Sequence, residues 1–210
     1  MQSHYFNSLM HHVLQGERYN MELSDAKAEF EEVAGPIFVT DRGYDARINS
    51  FHNWYILDRP LRSNGKTPLA YFIEFNANAL APKDLEGYVE LGRNIHGVFE
   101  LAGMGKTQTI LINVLDRRKY KVEGVEDTAS LDRGALFNGR IFMHGDQYFL
   151  SNYFILHPAE VARRIRRAAK QVRKQKADTK AFLLRLLLFQ SRWEQYKQMD
   201  VHNIYRLDEE

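Results

Sequence analysis

His96 to Leu101 (HGVFEL), Gln108 to Leu115 (QTILINVL), Lys119 to Val125 (KYKVEGV), Ala135 to Met143 (ALFNGRIFM) and Gln147 to Phe154 (QYFLSNYF) decide how this chain folds. Each run is rich in β-branched or aromatic residues, the types that suit a pleated, half-buried strand. Turn residues separate them: Gly103-Met104-Gly105, Asp116-Arg117-Arg118 and His144-Gly145-Asp146. Short strands joined by tight turns curl into a small bent antiparallel sheet or an SH3-like barrel. Residues 96–157 are therefore expected to form a small β module.

Upstream the apolar period becomes helical, and residues 1–95 read as a helical region. Tyr5, Phe6, Leu9, Met10, Val13 and Leu14 share one face. A second helix is expected to start at Ser24 and to stop at Gly35-Pro36. A third carries Phe51, Trp54, Tyr55 and Leu57 and ends before Pro60. Thr67-Pro68 opens a fourth, because threonine caps an N-terminus and proline suits the first helical position. Pro82 opens a fifth, with Leu85, Tyr88, Val89 and Ile95 inward.

Downstream, residues 158–210 read as a helical hairpin with a short tail. Val161, Ile165, Ala168, Ala169 and Val172 form a narrow stripe on its first helix. Asp178 or Thr179 caps the second helix. There Phe182, Leu183, Leu186, Leu187, Phe189, Trp193 and Tyr196 form a broad apolar face. The narrow stripe cannot cover that face. It is expected to pack on the β module, on the N-terminal helices, or on a second copy in a homodimer. The fold class is α+β.

Composition narrows the function. The chain has 210 residues and no cysteine, which excludes a disulfide scaffold, a thiol nucleophile and cysteine-bound zinc or iron–sulfur sites. No apolar run is long enough to span a membrane. The first residues lack the basic start and apolar core of a secretion signal, so a cytoplasmic protein is expected.

The net charge of +2 hides an asymmetry. Nine cations and two acids lie between Pro158 and Lys180, giving +7 there and −5 elsewhere. Arg163, Arg164, Arg166, Arg167, Lys170, Arg173 and Lys174 are the candidate macromolecule-binding residues. Arginine suits bidentate contact with phosphate or carboxylate. The competing expectation is that Glu22, Asp25, Glu29, Glu31 and Glu32 neutralise this helix from within the chain.

Catalytic patterns are missing. Gly103-Met104-Gly105-Lys106-Thr107 resembles the end of a phosphate-binding loop, but Glu100 stands where the first glycine belongs and a strand follows where a helix is needed. Arg117-Arg118 with Asp127-Thr128-Ala129-Ser130 does not match the spacing of cyclic-dinucleotide-binding barrels. His144-x-Asp146 reads as turn chemistry. No serine lies in a nucleophile elbow, and no histidine pair has helical metal-site spacing. No catalytic residue, cofactor or metal is expected.

One motif has a family likeness. Phe51-x-x-Trp54-Tyr55-x-x-Asp58-x-Pro60-Leu61, then Thr67-Pro68-Leu69 and Phe72, precedes Gly97-Val98-Phe99-Glu100, Gly139-Arg140-Ile141-Phe142 and Gly145-Asp146-Gln147-Tyr148-Phe149. This order resembles uncharacterised bacterial proteins with an aromatic-aspartate helix before a small β module. Some of them carry a cysteine-rich zinc-binding tail. The likeness covers about residues 45–170. It implies the helical segment and the β module, and no metal, because the tail is missing here. Trp54 is then a packing aromatic, and Asp58 a cap or salt-bridge partner.

The leading expectation is a non-enzymatic regulatory or adaptor protein that binds another macromolecule, with protein as the favoured partner. Nucleic-acid binding through residues 163–176 is the alternative, and an unrecognised enzyme the third reading.

Overall fold

The computed structural model describes residues 2–123 and 131–207. Two helices open it, α1 (Gln2–Gln15) and α2 (Glu17–Ala34), broken only at Gly16. The expected start at Ser24 is thus corrected. Glu17, Arg18, Met21 and Leu23 are good helix formers, so nothing stops α2 from propagating back to the glycine. Its end falls where expected: Gly35 takes φ +88 and the following proline bars continuation.

Next come α3 (Tyr44–Leu57), α4 (Pro68–Asn76) and α5 (Pro82–Gly92). The Thr67 hydroxyl accepts from the Ala70 N–H, and both α4 and α5 start on proline. These five helices enclose one apolar core around Leu9, Val13, Phe30, Phe51, Tyr55, Ile56 and Leu91. Arg47 ties the bundle together. Its Nη2 donates to the carbonyls of Ala34, Gly35 and Pro36, closing the C-terminal end of α2, and its Nη1 donates to Leu187.

Among the described residues six strands follow: β1 (Asn94–Met104), β2 (Gln108–Asn113), β3 (Lys119–Glu123), β4 (Leu136–His144), β5 (Gln147–Leu150) and β6 (Ile155–Leu156). β1 pairs antiparallel with β2 on one side and with β4 on the other. The neighbours β1-β2-β3-β5-β4 return to β1, and β6 adds to β4. The expectation of an antiparallel sheet needs one correction. A ring of five strands cannot alternate direction at every step, so one pair must run parallel. That pair is β3 and β5, joined among the described residues at Val122↔Tyr148 and Glu123↔Phe149. Phe99, Leu101, Leu111, Tyr120, Val122, Phe137 and Ile141 fill the interior. The expected run from Gln147 to Phe154 is also corrected. It breaks after Leu150 and resumes as β6, because residues 151–154 bend away. Gly124 and Val125, expected at the end of β3, lie outside the described residues, as do Asp127 to Ser130.

A short 3-10 turn at Ala159–Val161 leads into α6 (Ala162–Gln175), then α7 (Thr179–Gln195) and α8 (Val201–Ile204). The Asp178 side chain caps α7 by accepting from the Lys180 and Ala181 N–H groups. The broad face of α7 is divided between two cores. Leu184 and Leu187 join the N-terminal bundle. Phe182, Leu183, Leu186 and Phe189 pack with α6 and with Val98, Val114 and Leu136 of the sheet region. The chain itself buries most of this face and leaves Tyr196 exposed.

Gly87 marks the tightest approach in the bundle. A Cβ there would lie 2.3 Å from a ring carbon of Tyr5, whose hydroxyl donates to Asp84. Alanine normally strengthens a helix interior by about 1 kcal/mol over glycine. Gly87→Ala is expected to reverse that sign and cost about 1–3 kcal/mol through overpacking. Thermal unfolding checks it, and a rise in Tm would refute the close packing of α1 on α5.

Candidate functional site

α6 is built to be covered on one side only. Ala162, Ile165, Ala168 and Ala169 are buried, at the spacing of a single helical face. These residues join the apolar cluster that contains Val98, Val114 and Leu136. Lys176 adopts a left-handed conformation, φ +52, and its N–H bonds the Arg173 carbonyl, which ends the helix.

The seven candidate cations divide into two groups. Arg166 donates through Nε to Glu100 Oε2 at 2.8 Å and through Nη2 to the Gly134 carbonyl at 3.1 Å. Arg173 Nη1 donates to the Val114 carbonyl, and Arg164 Nη1 donates to the His202 carbonyl. These three brace the helix against its surroundings. Among the described residues, only Arg166 of these three faces a carboxylate. Arg163, Arg167, Lys170 and Lys174 are exposed and have no ion-pair or hydrogen-bond partner among the described residues. Their spacing of four, three and four puts them in one line, opposite Ile165 and Ala169. At about 1.5 Å per residue the line is about 16 Å long.

Four of the five acids expected to neutralise α6, Glu22, Asp25, Glu29 and Glu31, are engaged elsewhere. Arg59 donates to Glu22 at 2.9 Å and to Glu29 at 2.7 Å. Arg62 takes Asp25 at 2.8 Å and Glu29 at 2.6 Å. The Arg59 hydrogen bond holds Glu29 down to about 2, against the burial that would raise it. Glu31 pairs with Lys27.

The positive surface extends beyond the helix. The Arg173 contact fixes the C-terminal half of α6 beside the β2–β3 connection, where Arg117, Arg118, Lys119 and Lys121 are exposed. Near the other end, a shallow hollow of about 720 Å³ is lined by Arg163, Arg164, Arg166, Arg167 and Lys170, with Glu160 and His202.

The motif residues play packing roles. Trp54 sits against Phe30 and Phe51. Asp58 pairs with Arg140, 82 residues away, a partner that no local pattern in the sequence signals. Among the described residues, no group of three or more His, Asp and Glu could hold a metal, and no helix is long and apolar enough to cross a membrane.

No family model, curated protein or solved structure matches the chain.

Proposed function

We propose that this chain binds the phosphate backbone of nucleic acid through α6, without reading sequence. The observation that supports this is the line of Arg163, Arg167, Lys170 and Lys174, exposed and without a partner among the described residues, while Arg59 and Arg62 hold Glu22, Asp25 and Glu29. A protein partner, the leading expectation from sequence, fits this surface less well. Protein interfaces centre on buried aromatic and aliphatic anchors and are depleted in lysine. The exposed line of α6 carries no apolar side chain. Successive cations along the line stand about 5–6 Å apart, so several can face one charged backbone together.

Fluorescence anisotropy with a mixed-sequence DNA duplex tests the reading. Affinity is expected to fall with salt at a log–log slope of about −4, from about four neutralised phosphates. Changing Arg163, Arg167, Lys170 and Lys174 together to Glu is expected to abolish binding and leave Tm nearly unchanged, since all four are exposed. No binding at low salt, or equal binding to polyglutamate, would overturn the proposal. The second result would assign the surface to an acidic protein instead.

A further inference from the structure

A cavity of about 420 Å³ opens between the N-terminal helices and the sheet, and its lining includes no residue of α6. Its size falls in the range of about 300–1,000 Å³ typical of small-molecule sites. The walls are aromatic on the sheet side, with Phe142, Phe149 and Tyr153. Carboxamides supply most of the polarity: Asn7 from α1, Asn49 and Asn53 from α3, and Asn152 from the loop after β5. Among the described residues, neither lysine nor arginine lines it.

The hydrogen bonds already made define what remains for a ligand. Asn49 Nδ2 donates to the Asp45 carbonyl and Asn53 Nδ2 to the Asn49 carbonyl, both at 2.8 Å. Each therefore keeps its Oδ1 as a free acceptor. Asn7 and Asn152 have no side-chain hydrogen bond with the described residues, so each keeps a donor and an acceptor side by side. His144 borders the same cavity. Its Nδ1 lies 2.5 Å from Glu90 Oε2, and Glu90 Oε1 accepts from the Gly145 N–H. Glu90 thus fixes the ring and leaves Nε2 as the imidazole atom open to a partner.

Aromatic faces with paired carboxamide donors and acceptors are the chemistry that recognises a base edge. Asparagine can bond an aminopurine through its amino group and ring nitrogen together, and the ring stacks on phenylalanine or tyrosine. The lack of any cation in the lining disfavours a phosphate or carboxylate inside the cavity. We infer that this cavity binds a flat purine ring bearing an exocyclic amino group. The ring can arrive as a free base or as one residue of a single strand.

The ¹⁵N-labelled full chain titrated with adenine provides the test. Saturable shifts are expected at the amides of residues 49–53 and 149–153. Hypoxanthine, which carries an oxo group in place of the amino group, is expected to bind at least about tenfold more weakly. Asn53→Leu should weaken adenine by about tenfold, because an acceptor is lost. Should that variant misfold, Tyr153→Ala, at an exposed position, should weaken it by removing a stacking face. A single-stranded oligoadenylate distinguishes the sources: shifts with it alone assign the base to a strand, and shifts with adenine assign a free ligand. Silence from both, or equal binding of hypoxanthine, overturns the inference. The four-residue charge reversal on α6 should leave the adenine shifts unchanged, so this inference and the backbone-binding proposal fail independently.

Discussion

Replacing Arg140 with methionine is expected to lower folding stability by about 3–5 kcal/mol. The Asp58 carboxylate follows the end of α3 and enters the junction of the helical bundle, the sheet and α7. Arg140 of β4 reaches it through Nη2 and reaches the Asn94 amide oxygen through Nη1. His96 Nδ1 stands 3.6 Å from the same carboxylate, and Lys180 Nζ donates to the Asp58 carbonyl. The Asp58 and Arg140 side chains are only 11% and 5% exposed. Burial alone would raise the Asp58 pKa. The neighbouring His96 imidazole and the Arg140 charge outweigh it and hold the carboxyl well below the usual range. Methionine keeps the apolar stem of arginine and removes the charge, so the loss reports a stranded carboxylate more than a cavity. Asp58→Leu combined with Arg140→Met should recover most of that loss, since a buried ion pair is often replaceable by an apolar pair. Urea unfolding of the single and double variants checks both statements. A single-variant loss below about 1 kcal/mol would mean that water already solvates Asp58.

Acid is expected to destabilise the protein from about pH 6.5 downward, well above the range where carboxylates titrate. His157 is 3% exposed and lies between two partners. Asn138 uses its Nδ2 on the Leu183 carbonyl, so its Oδ1 must accept from His157 Nε2–H, at 2.9 Å. Nδ1 is then the bare nitrogen, and the Tyr205 hydroxyl donates to it at 3.0 Å. This neutral tautomer satisfies every partner, and a second proton on Nδ1 would displace the Tyr205 donor. Burial pushes His157 down to about 3 and His52 down to about 4. The folded pKa values are depressed, so below the unfolded value the unfolded chain takes up protons that the folded chain refuses. Stability from this source is full above pH 6.5. It falls by about 1.4 kcal/mol per pH unit for His157, with a smaller share from half-buried His52. At lower pH, protonation of Asp58 and Glu29 adds to the loss. Urea midpoints measured across this range check the slope. A stability that stays flat between about pH 7 and pH 5 would contradict a buried neutral His157.

The parts of this fold that were legible in sequence are those whose cause is local. Thr67-Pro68, Pro82, Asp178 and Gly35-Pro36 act within one helical turn, and each sits at the expected helix end. The strand runs were visible because β-branched and aromatic residues cluster between turn residues. Ser24 misled because a serine resembles a cap whether or not the chain is already helical, and the break at Gly16 lay in a run with weak periodicity. The candidate cations on α6 were all visible as residue types. Which four stay unpaired was not, since that depends on Glu100, Gly134, Val114 and His202, all distant in sequence. The Glu90–His144 pair was missed for the same reason: 54 residues separate its members, and His144 reads locally as part of a turn with Asp146.

By itself the amino-acid order determined an α+β chain with a charge-dense helix near its C-terminus, because capping, turn formation and helical periodicity are short-range effects. Tertiary packing decided the rest. The parallel contact of β3 with β5 follows from closing an odd ring of strands, and the sharing of α7 between two cores from an apolar face too broad for α6 alone to cover. The line of cations on α6 has no acidic partner among the described residues, while Arg59 and Arg62 hold Glu22, Asp25 and Glu29 of α2, an outcome set by three-dimensional proximity between charges that no local pattern encodes.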